Sequence, residues 1–185
     1  MKRFPILLVV IALAAVVATL ASSGSGVSSA ATATTLTLDV ALDGRTFVVN
    51  RVNPSSGSIG RGDTFVLDGK VFAGGTIPSG GTKEEPSSVG PDSPGVIGDW
   101  ICRGAYLVDS AELSTAKIQR ATTQYFLLTN KDRIVTEGFE GASDITRIIT
   151  GGLRQYEGAR GNATIERLGI NSTGAYNYRF VFTME

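Results

Sequence analysis

Apolar and polar residues alternate along most of the chain that follows residue 33. Runs with this two-residue period are rich in β-branched and aromatic side chains, and clusters of Gly, Asp, Asn and Ser separate them. They cover residues 35–42, 46–49, 63–72, 100–108, 121–128, 133–139, 156–168 and 175–184. Short alternating runs between turn clusters predict β-strands, so the pattern indicates an all-β barrel or sandwich.

Three segments interrupt this pattern. Asp43-Gly44 predicts a turn, and Asp68-Gly69 predicts a tight turn or a bulge within a longer run. Residues 110–120 have no convincing helical period, so we expect a loop with about one helical turn. Residues 77–99 carry no strand pattern and hold most of the prolines. A loop of this length in a compact domain is either a functional lid or a disordered segment.

The last run places aromatic side chains on one face. Tyr176, Tyr178, Phe180 and Phe182 occupy alternate positions, with mostly smaller or polar residues between them. Such a stripe is either part of the core or a subunit interface, and large apolar side chains are more often buried. We therefore interpret it as core.

The N-terminus predicts a secretory signal peptide. Lys2 and Arg3 precede an apolar run from Ile6 to Ala21, and a stretch of small residues leads to Ala33. This order is typical of a cleaved signal, and the run is shorter than the ~20 residues of a membrane-spanning helix. We predict a signal peptide over 1–33, a mature domain over 34–185 and a secreted or extracytoplasmic protein without a stable membrane anchor. The alternative is an uncleaved anchor.

Composition narrows the chemistry. The chain has 17 basic and 17 acidic residues, no histidine and one cysteine. Near-neutrality argues against a nucleic-acid partner. The composition also excludes a Ser-His-Asp triad, an HExxH zinc site and a disulfide within the chain. We therefore expect no metal and no cofactor.

Four glycines punctuate the segment from Ile149 to Ile165. Gly151, Gly152, Gly158 and Gly161 predict corners or close backbone approaches rather than a phosphate-binding loop, because strand rather than helix is predicted after them. The stretch TGGLRQYEGARGNA, which begins at Thr150, also resembles the signature shared by plant dirigent proteins and allene oxide cyclases. Weaker similarities in the same order include Gly62-Asp63, Lys70, Phe72, Ala121-Thr122 and Gly138.

The resemblance covers roughly residues 35–182 and implies an eight-stranded antiparallel β-barrel with a small central cavity. It also implies a homotrimer or homodimer. In these families the cavity orients a reactive small molecule, a chemistry that depends mainly on confinement. The likeness concerns the superfamily rather than the cyclase reaction, because Ala41, Val66 and Gly69 stand where the cyclases carry asparagine or proline.

The same resemblance gives candidate site residues. Asp39 lies where these families carry a cavity carboxylate, and it is the first catalytic candidate together with Glu140. A carboxylate in an apolar barrel can serve as an acid, a base or a partner for a developing cation. The alternative for Asp39 is a structural, hydrogen-bonded role.

Five further residues are candidates for binding the ligand. Leu67, Trp100, Cys102 and Tyr125 are expected to line the cavity, and Arg160 either reaches it or forms a structural ion pair. Cys102 and Tyr125 are also consistent with ordinary core positions.

The function predicted from these residues is an exported barrel that binds a small hydrophobic molecule and steers its cyclisation or coupling, as an isomerase-like enzyme or a stereo-directing protein. One alternative is a non-catalytic, lipocalin-like carrier. Another is a secreted interaction module that uses an outward aromatic stripe. Separately, Asn162-Ala-Thr164 and Asn171-Ser-Thr173 fit the N-glycosylation pattern.

Overall fold

A computed structural model of the chain describes residues 33–79, 85–141 and 146–185. Nearly all of the predicted signal peptide, and Glu84 of the long loop, lie outside these described residues. No helix within them is long and apolar enough to cross a lipid bilayer.

Nine strands build the described domain, and every pair of neighbouring strands is antiparallel. The strands are β1 (Thr34–Leu42), β2 (Val48–Asn50), β3 (Thr64–Ala73), β4 (Gly98–Tyr106), β5 (Arg120–Leu128), β6 (Arg133–Glu140), β7 (Thr146–Leu153), β8 (Gly161–Ile170) and β9 (Tyr176–Met184). Strand β1 pairs with β9 on one side and with β3 on the other, which closes eight strands into a barrel. The predicted all-β, eight-stranded antiparallel barrel is confirmed.

Strand β2 is the additional strand. It pairs with the first half of β3, whereas β1 pairs with the second half. The predicted turn at Asp43-Gly44 separates them as part of a short 3-10 helix over Gly44–Thr46, where the Asp43 carboxylate accepts the backbone N–H of Arg45. The turn or bulge predicted at Asp68-Gly69 is wrong, because both residues continue β3. Gly69 is needed there for space, since a Cβ atom would lie 2.8 Å from the Ala41 carbonyl oxygen.

The main core lies inside the barrel. Alternate side chains of every barrel strand point inward, as the period of two requires. Phe126 of β5 contacts Phe180 and Phe182 of β9 edge to face, with ring centroids 5.0 Å apart in both pairs. Because β5 and β9 are not neighbours in the sheet, these contacts cross the barrel. The interpretation of the last-strand aromatic stripe as core is confirmed, so it cannot form an outward interaction surface.

A second, smaller cluster lies on the outer wall. Ala41, Phe72, Ile77 and Leu168 are buried together there, and Val89 packs against them. The described parts of the long loop form this cover, and Pro86 forms a bridge with Ile170 at the end of β8. Those parts are therefore not an unpacked segment: Ile77 and Val89 pack on the outer wall, and Ile97 packs against the main core.

The glycine-rich segment reverses the chain between β7 and β8. The strand predicted over 156–168 starts late, at Gly161, and the preceding strand β7 was not predicted. A 3-10 helix over Arg154–Tyr156 occupies the reversal, and Arg154 adopts φ 61°. A Cβ atom at Gly152 would lie 2.3 Å from the Tyr156 carbonyl oxygen, and one at Gly161 would lie 2.0 Å from that of Thr183. Close backbone approach accounts for these two glycines, as the sequence indicated.

Candidate functional site

Polar side chains gather inside the barrel beside the apolar core. Thr122 and Gln124 of β5, Thr136 and Glu140 of β6 and Arg147 of β7 all point inward, and each of these strands also contributes apolar residues to the core. The three strands are neighbours in the sheet, so the side chains meet as one cluster.

Glu140 is the acceptor at the centre of this cluster. Its Oε1 atom accepts hydrogen bonds from Thr122 Oγ1 (3.0 Å), Gln124 Nε2 (3.0 Å) and Arg147 Nη1 (3.2 Å). Its Oε2 atom lies 3.5 Å from Arg120 Nη2. The carboxylate side chain is 12% exposed. One oxygen is therefore fully engaged, and the other can accept a hydrogen bond or a proton from a bound molecule.

Arg147 donates hydrogen bonds to three other members of the cluster, Thr122, Thr136 and Glu140. Its side chain is fully buried, and it donates to Oγ1 of Thr136 (2.9 Å), Oγ1 of Thr122 (2.7 Å) and the carbonyl oxygens of both threonines. Burial lowers the pKa of the Arg147 guanidinium, and the Glu140 charge opposes that shift. The group remains a cation, because arginine does not lose its proton in proteins. A buried charge with all its donors engaged is a rigid positioning element.

Two more arginines and two tyrosines extend the cluster towards one end of the barrel. Arg120 lies near the rings of Phe65 (5.9 Å) and Tyr106 (6.0 Å). Arg167 pairs with Tyr178 across β8 and β9. Burial raises the pKa of both tyrosine hydroxyls, and Arg120 opposes the shift at Tyr106.

This end of the interior is accessible to solvent. The inward residues Leu67, Arg120, Arg167 and Tyr178 are all half-buried, whereas Phe126 is completely buried. The polar groups at this end are therefore closer to solvent than the aromatic core.

Three of the five predicted ligand-binding residues point into the barrel. Leu67 lies across from Cys102 in the β3–β4 register, and Trp100 lies two residues before Cys102 on the same face. Burial raises the pKa of the Cys102 thiol to about 12, with a smaller contribution from the Glu140 charge. The thiol is therefore protonated near neutral pH and behaves as a small apolar group.

The other two lie outside. Tyr125 faces outward on β5, between the inward Gln124 and Phe126, and Arg103 covers its ring at 5.1 Å. Arg160 is exposed and donates to the carbonyl oxygens of Thr150 and Ala159. The expectation that Tyr125 and Arg160 line the interior is wrong, because strand parity directs the first away and the second supports the β7–β8 reversal.

Asp39 also lies outside the barrel interior. It alternates with Leu38 and Val40, which belong to the main core, so its carboxylate points to the outer wall. There it is completely buried and accepts hydrogen bonds from Arg179 and from the backbone N–H groups of Gly75 and Ile77. The inward position expected for Asp39 is wrong. Of the two catalytic candidates, Glu140 alone faces the interior.

Sequence reasoning missed Arg147, Gln124 and Arg120. A signal for Arg147 exists, because it shares strand parity with the apolar Ile149 and is therefore directed to the same face. Gln124 likewise shares strand parity with Phe126 and Leu128, so its side chain points to the same face as theirs. A polar residue in register with buried apolar ones is the pattern that identifies this cluster.

A separate concavity of about 1110 Å³ lies on the outer wall. Mostly outward residues of β2 to β7 line it, and its exposed apolar members are Val48 (64%), Val66 (45%), Phe139 (58%) and Ile148 (64%). Arg103 and Glu137 supply opposite charges on the same wall. Most of its lining side chains point away from the interior, and Thr122 of the interior cluster also borders it.

Solved structures share this fold at low sequence identity. No protein-family model and no curated protein matches the chain. A pyocyanin demethylase aligns with a TM-score of 0.53 at 15% identity, over 82% of this chain and 100% of that one. Two pterocarpan synthase dirigent proteins align with TM-scores of 0.57 and 0.55 at 13% and 15% identity, over 83% of this chain and 95% and 87% of theirs. The chain therefore has the barrel fold of the dirigent and allene oxide cyclase type.

Proposed function

We propose that the barrel binds a small, largely apolar molecule inside and steers its cyclisation or coupling, with Glu140 as the group that acts on it. The observation that carries this proposal is the asymmetry of the Glu140 carboxylate. Three donors hold Oε1, while Oε2 has one long contact at 3.5 Å and lies in the half-buried part of the interior.

The chemistry available to Glu140 is proton transfer or charge stabilisation. Oε2 can accept a proton from a bound molecule and return it elsewhere, or it can stabilise a positive charge that develops on that molecule. The aromatic rings of Phe126, Phe180 and Phe182 would hold the apolar part in one orientation. Confinement of this kind lowers the entropy that a ring closure or a coupling has to lose.

The dirigent-type fold supports the proposal by analogy. The similar solved proteins are named as pterocarpan synthases and a pyocyanin demethylase, which act on small molecules. Because fold alone does not determine a reaction, the argument rests on the Glu140 cluster.

A matched pair of glutamates on β6 gives the test. Small molecules retained by the chain from its source organism would be identified by native mass spectrometry and then offered to the wild type, to Glu140→Gln and to Glu137→Gln. Glu137 lies on the same strand but points outward, so it is the control. We expect Glu140→Gln to abolish conversion with little loss of affinity and Glu137→Gln to change neither.

Two other results are informative. Binding without conversion by the wild type would favour the lipocalin-like carrier. Conversion that survives Glu140→Gln would contradict the role of this carboxylate.

We further propose that the outer concavity supports a homodimer or homotrimer. Val48, Phe139 and Ile148 expose apolar surface on one wall, and Arg103 and Glu137 could pair with the opposite charges of a second copy. Light scattering after size exclusion tests this, and we expect Ile148→Asp to shift the mass towards the monomer. A monomeric wild type at high concentration would reject the proposal.

We also propose that the protein is exported. N-terminal sequencing of the protein recovered outside the cytoplasm should give a start near residue 34 if residues 1–33 are removed as a signal peptide.

A further inference from the structure

Three buried polar atoms inside the barrel lack a hydrogen-bond partner within the described residues: Nε1 of Trp100, Nε of Arg120 and Oε1 of Gln124. Trp100 Nε1, a donor, and Gln124 Oε1, an acceptor, belong to neighbouring residues of β4 and β5. Both side chains are only 3% exposed. Buried polar groups in proteins are nearly always paired, so two such atoms in one place indicate something that binds to them.

The two side chains are neighbours on the inner wall. Cys102 of β4 lies directly across from Gln124 of β5, and Trp100 lies two residues before Cys102 on the same face. Diagonal neighbours of this kind are within reach of each other's long side chains. The Cys102 thiol between them is only a weak hydrogen-bonding group.

Both groups are held in orientation by the fold. Gln124 donates from Nε2 to Glu140 Oε1 at 3.0 Å. Reversing the amide would place its oxygen against the carboxylate, so Oε1 remains the atom that points away from Glu140. The ring of Trp100 packs over Gly69, where a Cβ atom would lie 3.3 Å from indole Cε3.

We propose that Trp100 and Gln124 form a subsite for one uncharged hydroxyl group on the apolar molecule bound inside the barrel. A hydroxyl oxygen accepts from the indole N–H while its hydrogen is donated to Gln124 Oε1, so one group satisfies both atoms. An ether can satisfy only the indole, and a hydrocarbon satisfies neither. This inference rests on the proposed interior binding and specifies the ligand: an alcohol or phenol whose hydroxyl lies between Trp100 and Gln124.

The single tryptophan of the chain makes the subsite directly observable. In the ¹⁵N-labelled full chain, one indole N–H cross peak reports on Trp100. Benzyl alcohol, benzyl methyl ether and toluene are the probes, since they share a ring and differ in their hydrogen-bonding group. We expect benzyl alcohol to move the indole peak downfield and to bind at least about tenfold more tightly than toluene, with the ether in between.

Variants assign the effect to the acceptor. Gln124→Met retains the shape of the side chain and removes Oε1, so we expect benzyl alcohol and its methyl ether to bind with equal affinity. The control is Gln155→Met, which changes an exposed glutamine of the β7–β8 reversal. The comparison of the three probes on the wild type needs no variant, so it decides the question even if Gln124→Met does not fold.

The remaining outcomes separate this inference from the proposed function. If toluene and benzyl alcohol shift inward methyl groups such as those of Leu38 and Ile134 equally while the indole peak stays in place, the hydroxyl subsite is wrong and interior binding stands. A bound water that keeps exchanging magnetisation with the indole N–H at saturating benzyl alcohol also overturns the subsite. If no probe shifts any inward residue, both proposals fail.

Discussion

Replacing Asp39 should destabilise the barrel rather than disable its interior chemistry. The carboxylate accepts two hydrogen bonds from Arg179, one from Nε at 2.8 Å and one from Nη2 at 3.0 Å. It accepts two more from the backbone N–H groups of Gly75 at 2.9 Å and Ile77 at 2.8 Å. The Asn side chain of Asp39→Asn has the same shape as Asp, but its NH₂ group is itself a hydrogen-bond donor. It would face the N–H donors that the carboxylate oxygen now accepts from. The Arg179 guanidinium also loses its counter-charge.

The expected cost follows from the burial of this ion pair. Removing one partner of a buried pair costs about 3–5 kcal/mol. The Asp39 side chain is completely buried, whereas that of Arg179 is 20% exposed, so solvent can partly stabilise the orphaned cation. We therefore expect a loss of about 3 kcal/mol for Asp39→Asn, at the lower end of that range. A loss of this size is a large share of the ~5–15 kcal/mol that stabilises a typical domain.

Equilibrium urea unfolding, followed by the fluorescence of Trp100, measures this loss. Lys70 and Asp99 form a pair at 2.6 Å in which both side chains are largely exposed, so Asp99→Asn is the control and should cost less than about 1 kcal/mol. Folded Asp39→Asn should bind the interior ligand as the wild type does. If this variant were as stable as the control and had lost ligand conversion, Asp39 would be part of the chemistry and the structural interpretation would be refuted.

Three further outcomes can be checked. Arg147→Met should lower the free energy of unfolding in urea by about 3–5 kcal/mol, because Glu140 loses its buried counter-charge. Adding Glu140→Gln should restore part of that loss, and a double variant whose losses simply add would contradict the coupling. Burial raises the pKa of Cys102 from its ordinary value near 9 to about 12, so its contribution to stability is complete below pH 9 and is lost as the pH rises to 12. Thermal unfolding of Cys102→Ala should therefore fall less steeply over this range, and identical profiles would rule the thiol out. In a glycosylating host, peptide mass spectrometry should find glycan on the exposed Asn162 but not on Asn171, which is 4% exposed and donates to the Leu42 carbonyl oxygen; a glycan on Asn171 in the folded protein would contradict the described packing.

The barrel could be predicted from sequence because its main signal is local. A period of two persists along each strand, and turn residues mark most of the ends. Strand β7 was missed because Gly151 and Gly152 interrupt its apolar pattern, and the glycines that reverse the chain resembled the interior of one longer strand. That distinction depends on the approach of Gly152 to Tyr156, a contact made only after the chain has turned.

The site was predictable only in part. Trp100 and Cys102 occupy alternate positions of one predicted strand, the resemblance supplied Glu140, and the structure places all three on the inner wall. Asp39 was assigned to the cavity by resemblance, although the neighbouring Leu38 and Val40 have the opposite parity. The loop after β3 covers the outer wall and brings the backbone N–H groups of Gly75 and Ile77 to Asp39. The sequence of this loop has no periodic pattern from which that contact could be predicted.

The closed barrel limits how this chain can associate with other proteins. Each of the eight barrel strands has a strand partner on both sides, although some partners cover only part of its length, and among the described strands the three-residue β2 has a partner on one side only. Short 3-10 helices at Gly44–Thr46 and Pro54–Ser56 flank it. An edge this short is a poor template for strand addition or for amyloid-like stacking. We therefore expect assembly of this protein to depend mainly on outward side chains, so point substitutions on the wall should control it.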